Sequence, residues 1–190
     1  IGLTHPDEIS NALSIIPKTT PIITLSTHQE TRNNLFTLNL NQDDELKQLA
    51  RYLQNKNLTK TIVLNYDDIK SQQLANKFTS MRTQSGGKFI SIPELTQGEE
   101  PKIIRHLLNI DKSESRAHKI QTHLRNYKIK FLPTRRNDFD SIFLALSRKQ
   151  ARKIVPLLRY YFINSSEIFS TSHLLNGISN RFKNTDLNGI

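Results

Sequence analysis

Residues Lys60 to Asn65, KTIVLN, constrain the fold more than any other stretch of the chain. The run is short, rich in β-branched residues and bounded by polar ones, so it predicts a strand covered on both faces. A strand of that kind needs helices on both sides of its sheet, and the flanking sequence supplies them. Upstream, Asn41 to Asn57 predicts a helix with Leu46, Leu49, Ala50 and Leu53 on one stripe. Asp43, Asp44 and Glu45 fall in its first turn, where the helix dipole favours negative charge. Downstream, Ile69 to Gln84 predicts a second helix whose stripe is Leu74, Ala75, Phe78 and Met81. Gly86-Gly87 ends it.

The same alternation continues outward. Pro21 to Leu25 (PIITL) and Leu35 to Leu40 (LFTLNL) read as strands, the second with apolar and polar residues alternating. Lys88 to Ile92 (KFISI) is the next strand after the second helix. From Glu99 to Asn126 the pattern is helical, with a stripe at Ile103, Ile104, Leu107 and Leu108. A further helix is expected from Ser113, carrying Ala117, Ile120 and Leu124. Asp138 to Leu146 (DFDSIFLAL) reads as a buried strand. Ser147 to Asn164 reads as a helix with Pro156 inside it, and the missing donor predicts a kink or a late start. Glu167 to Ser170 is a short strand, and Asn176 to Asp186 a polar loop. Strand following helix in this order predicts an α/β fold, a parallel sheet flanked by helices and built from right-handed crossovers.

Composition narrows the chemistry. There is no Cys among the 190 residues, which rules out thiol nucleophiles, disulfides and Cys-ligated metals and suits an oxidising compartment. No apolar run approaches the roughly 20 residues that span a bilayer. The chain opens on Ile1-Gly2-Leu3 without Met, and Asp186 to Ile190 reads as a turn entering a strand. Both ends are therefore expected to lie inside a longer protein. The net charge of +10 points to acidic partners or, equally, to well-solvated helices, since the charge is spread and not packed into one tail.

A search for reaction chemistry finds no glycine-rich phosphate loop, no zinc-helix motif and no nucleophile elbow. His118 and His123 are five apart and diverge on a helix, so no metal site is expected, and no cofactor. In open α/β sheets, ligands bind beyond the carboxyl ends of strands. The residues there are Ser26 and Thr27, Tyr66 and Asp67, Ser147, and Ser172. Each is a candidate for a cleft, and each is also suited to capping a helix or making a turn. The Asp67-Asp68 pair favours the capping role. Arg135 and Arg136 precede a strand, and Arg148 and Arg152, with Lys149 and Lys153, repeat at four-residue spacing on the next helix. These form a basic face, either solvated or suited to an acidic partner. No nucleic-acid-binding module accompanies it.

The chain order resembles a type I periplasmic-binding-protein fold along nearly its whole length. SRAHKIQTHL, PTRRNDFDSIFLAL, QARKIVPLLRYYF, FSTSHLLNG and TDLNGI, from Ser115 to Ile190, resemble in the same order the LppC or LpoA family of bacterial lipoproteins. Pro156 matches a proline of that family. The resemblance implies two lobes, with residues 1–37 the latter part of the first and 38–190 the second. It implies a periplasmic, outer-membrane lipoprotein whose lipid anchor lies outside this stretch. It also implies a non-catalytic role, binding and activating a class A penicillin-binding protein in peptidoglycan synthesis. The alternative is small-molecule binding in a cleft between the lobes. Neither reading involves nucleic acid.

Overall fold

The computed structural model describes residues 6–24, 32–37, 42–91, 93–124, 127, 130–161, 163–164, 167–174 and 185–190. The chain divides into two compact units, Ile1–Asp44 and Glu45–Ile190.

The first unit holds helix α1 (Pro6–Ile15) and strands β1 (Ile22–Thr24) and β2 (Leu35–Thr37), which pair in parallel. Ile9, Leu13 and Ile22 form its small core, with Ile16 and Leu35 packed against them. Both strands were expected from the sequence, and α1 was not. The latter half of LFTLNL, Leu38 to Leu40, lies outside the described residues.

The second unit is a parallel sheet with helices on both faces. Helix α2 (Gln42–Asn55) leads to strand β3 (Lys60–Tyr66), α3 (Ile69–Gln84), β4 (Lys88–Ser91) and β5 (Glu94–Leu95). Then come α4 (Glu100–Leu107), α5 (Ile110–His123), β6 (Ser141–Ala145), α6 (Arg148–Tyr160) and β7 (Ile168–Phe169). The strand order is β4–β3–β6–β7, with β5 also on β3, and every pairing is parallel. β4 and β5 are two pieces of one edge strand on the same side of β3. Pro93, which has no N–H to give, sits between them. That proline hides the second piece from a reading of the sequence.

β3 from Thr61 onward and β6 throughout are buried because both faces are covered. Ile62, Leu64, Ile142 and Leu144 join Ile104, Leu107, Ile154 and Leu158 in the larger core. Val63, Phe143 and Ala145 face Leu46, Leu53, Leu74 and Phe78. The rings of Phe78 and Phe143 stack 3.8 Å apart. Thus α3 and α6, which follow neighbouring strands, lie on opposite faces. The carboxyl ends of β3 and β6 therefore form the switch point of the sheet, where such folds place ligands.

Three local expectations change. The continuous helical pattern after Glu99 breaks at Asn109, whose backbone is left-handed (φ 58°), and α5 starts at Ile110 and not Ser113. Asparagine tolerates that conformation better than most residues. The stripe Ala117, Ile120 and Leu124 does not enter the core. Only Ile110 and Ser113 of α5 are buried, while Ile120 and Leu124 are exposed. Finally, α6 runs from Arg148 to Tyr160 through Pro156 without a break, with Pro156 exposed.

Candidate functional site

The carboxyl edge of the sheet, in spatial order β5, β3, β6, β7, gathers the polar residues of the second unit. Asp68 caps α3, its Oδ1 accepting from the Ser71 N–H at 2.9 Å, and its Oδ2 accepts from Gln150 Nε2 at 3.0 Å. The Gln150 carbonyl oxygen accepts from both the N–H and the hydroxyl of Ser147, at 2.7 and 2.8 Å. Ser71 Oγ donates to the Ala145 carbonyl at the end of β6 and accepts from the Tyr66 N–H. One chain of hydrogen bonds therefore ties the N-termini of α3 and α6 together across the switch point.

Tyr66 turns away from the edge. It is buried, and its hydroxyl donates to Glu100 Oε1 at 2.7 Å, while the Gly98 N–H donates to Glu100 Oε2 at 2.7 Å. Burial, followed by the carboxylate's hydrogen bond, pushes the phenol well above its usual range. The same hydrogen bond holds the Glu100 carboxyl below its ordinary value. Asp67 is exposed and accepts weakly from Gln72 Nε2, 3.3 Å away, which donates more closely to Glu94 at 2.8 Å.

At β7, Glu45 accepts from both the N–H and the hydroxyl of Ser172. His173 reaches the Leu146 carbonyl through Nε2 at 2.7 Å and Thr171 Oγ1 through Nδ1 at 2.6 Å. The carbonyl can only accept, so in the neutral ring Nε2 carries the proton and Nδ1 accepts from Thr171. A cavity of about 80 Å³ is lined by Ser170, Thr171, Ser172, Leu174, Leu187 and Ile190. A second, shallower hollow of about 340 Å³ is lined by Asn65, Gln72, Ala75, Asn76 and Glu94. Asn65 is buried there, and its Oδ1 has no hydrogen-bond partner.

Of the residues nominated for a cleft, the edge brings Asp67, Ser147 and Ser172 to neighbouring strand ends, while Tyr66 is committed to Glu100. Ser26 and Thr27 lie outside the described residues. Asn65, Glu45, Glu100 and Gln150 were not nominated. Gln150 was legible, because Ser147-Arg148-Lys149-Gln150 has the spacing of a capping box.

The four arginines do not form one face. Arg135 and Arg136 lie before β6, and Arg148 and Arg152 after it, at opposite ends of the strand. Arg135 Nη2 donates to both oxygens of Glu167 at 3.0 and 3.2 Å, with its guanidinium 5.3 Å from the Phe139 ring centre. Arg136 forms a fork with Asp138, both bonds 2.6 Å, which holds the Asp138 carboxyl below its usual range. These two side chains bind the approach to β6 to its surroundings. Arg148 and Arg152 are half-buried on α6.

The model of the LppC "putative lipoprotein" family matches residues 9–190. The chain belongs to the LppC family. The family's type I binding-protein architecture is visible in the solved structures that resemble the chain. A "putative branched-chain amino acid ABC transporter" from Chromobacterium violaceum is 18% identical, covers 93% of this chain and 48% of its own, and superposes with a TM-score of 0.59. The LpoA C-domain of Haemophilus influenzae, described as a regulator of PBP1A, is 14% identical over 99% of this chain and 52% of its own, with a TM-score of 0.53. Full-length LpoA of the same organism is 14% identical over 99% of this chain and 30% of its own, with a TM-score of 0.57. At these identities the likeness shows the shared fold. The chain spans about half the length of the transporter structure it matches. No curated protein matches it. Among the described residues no helix is long and apolar enough to cross a membrane.

Proposed function

We propose that this chain is a non-catalytic regulatory module of a periplasmic, outer-membrane-anchored lipoprotein that binds and activates a class A penicillin-binding protein in peptidoglycan synthesis. The observation that carries the reading is the family match over residues 9–190. The chemistry of the sheet edge agrees with it. Ser147, Asp68 and Ser172 are engaged in bonds that join the elements of the fold. In this reading residues up to about 37 are the end of a first lobe, and the rest is the second. The test is a pull-down of a purified class A synthase ectodomain by the longer lipoprotein that carries this chain, at physiological salt. Glycan polymerisation is assayed in parallel. Retention together with faster polymerisation is expected. A lipoprotein that neither retains nor stimulates any class A synthase sinks the reading.

A second reading, small-molecule binding at the carboxyl edge, has Asn65 in its favour. Its unpartnered Oδ1 lies against a polar hollow beside Glu94. A ligand there would raise the melting temperature, by the equivalent of about 2.7 kcal/mol at a hundred times its dissociation constant.

A further inference from the structure

Strand β3 points successive side chains to its two faces in turn. Ile62, Leu64 and Tyr66 enter the larger core, while Val63 lies toward α3 with Leu74, Ala75 and Phe78. The next residue on the α3 face is Asn65, so an amide stands where the row begun by Val63 would continue. Asn65 is only 4% accessible. Its Nδ2 lies 3.4 Å from the Tyr66 carbonyl, a contact that only the amide N–H can make. Oδ1 is therefore the atom left over, and it has no partner among the described residues. A buried acceptor left open is costly, and native folds seldom keep one without an occupant or a use.

The hollow beside it is built from β3, β5 and α3. Asn65 and Glu94 are register partners, so their side chains leave neighbouring strands on the same face, with backbones about 4.8 Å apart. Gln72, Ala75 and Asn76 of α3 line the other side. Gln72 Nε2 donates to Glu94 Oε1 at 2.8 Å and lies 3.3 Å from Asp67 Oδ1. Carboxylate oxygens only accept, so the amide nitrogen faces them and Gln72 Oε1 remains as an acceptor. The volume, about 340 Å³, lies within the range of small-molecule sites and is far more than the roughly 30 Å³ of one water.

The open hydrogen-bonding capacity is one-sided. Asn65 Oδ1, Gln72 Oε1 and the second oxygen of Glu94 all accept. Among the described residues no ion pair holds Glu94. No Lys or Arg lines the hollow, although the whole chain carries a net charge of +10. A matching ligand must donate and be positive. A primary ammonium has three donors and no acceptor, whereas a quaternary ammonium has the charge without donors, and a carboxylate is repelled. Ala75 is the one apolar side chain there, which suits a ligand with little hydrocarbon.

We propose that this hollow binds a small molecule through a primary ammonium group, held by Asn65 Oδ1 and the Glu94 carboxylate. The inference rests on the second reading above, small-molecule binding at the carboxyl edge, and names the ligand chemistry. The experiment titrates the full lipoprotein with ethanolamine, choline, acetate and glucose at matched ionic strength, by calorimetry and thermal melting. Ethanolamine is expected to bind with a dissociation constant on the order of 1 mM, as befits so small a probe, and choline about tenfold more weakly or worse. Asn65→Leu and Glu94→Gln should each weaken ethanolamine by about tenfold. Asn65→Leu should also melt no lower than wild type, because it removes an unsatisfied buried group. Equal binding of ethanolamine and choline overturns the proposal, since charge alone would then suffice. Ethanolamine binding that survives both substitutions overturns it too, by placing the ligand elsewhere. A response to acetate or glucose but not to ethanolamine overturns the ammonium assignment and leaves the small-molecule reading standing. No response to any of the four overturns the proposal and removes Asn65 from that reading's support.

Discussion

The carboxyl edge of the sheet and the surface of α5 beyond Ser113 are opposite in character. At the edge, Asp68, Ser147, Gln150, Ser172 and His173 are held by one another or by nearby backbone. Along α5 and the described residues that follow it, Ile120, Leu124, Tyr127, Phe131 and Leu132 are exposed, and Arg116, Lys119 and Lys130 have no acid beside them in the sequence. In a solute-binding protein the first region would carry the function. Here its hydrogen-bonding capacity is largely spent on joining α3, α6 and β7 to the sheet. Polar groups at the expected place for a ligand are not by themselves a ligand site. What matters is whether their capacity is still open.

The contrast yields graded expectations. Tyr66→Phe should have the largest effect on stability, about 1–3 kcal/mol, because it leaves the buried Glu100 carboxylate short of a donor. The sign of its pH dependence follows from the depressed Glu100 carboxyl. That group stabilises the fold above its unfolded value of 4.5 and loses the contribution as pH falls through its lower folded value. Denaturant titrations of wild type and Tyr66→Phe should therefore converge below about pH 4.5 and stand furthest apart at neutral pH. A gap that widens in acid would show that the Tyr66–Glu100 bond is not what the substitution removes.

Asp68→Ala should cost about 1 kcal/mol, the usual worth of a helix cap, and should loosen Gln150 as well. Hydrogen exchange at the first turns of α3 and α6 would report both. If only α3 responds, the bridge across the switch point contributes nothing. Leu132→Ser should change stability by less than about 0.5 kcal/mol, since nothing covers the side chain. A clear thermal destabilisation would mean that Leu132 packs within the fold.

Much of the architecture was legible in the sequence for a simple reason. β3 and β6 are covered on both faces, so KTIVLN and SIFLA read as unbroken apolar runs, and α2 and α3 carry clear stripes. The elements missed or misplaced are those where a local signal was interrupted or had no opposite number. Pro93 splits the edge strand. Ile9 and Leu13 of α1, with Ile16 just beyond it, have helical spacing, but the stripe is too short to stand out from the sequence. Ile120 and Leu124 also have helical spacing, which shows that they share a face and not that anything lies against it. At the sheet edge, Asp67, Ser147 and Ser172 do come to neighbouring strand ends. Sequence reasoning could not tell which side chains were free, because Tyr66 meets Glu100 and Ser172 meets Glu45 across 34 and 127 residues of chain.

The left-handed residue between α4 and α5 has a mechanical consequence. Asn109 is the pivot from which α5 departs, and 14 residues at 1.5 Å each make that helix a lever of roughly 21 Å. A rotation of about 10° at the pivot swings the far end by about 4 Å, close to the width of a side chain. The aim of α5 is thus set at its base, by Asn109 together with the Arg105 ion pairs and the Ser113–Thr134 bonds, and a change there would redirect the helix without touching any residue at its far end.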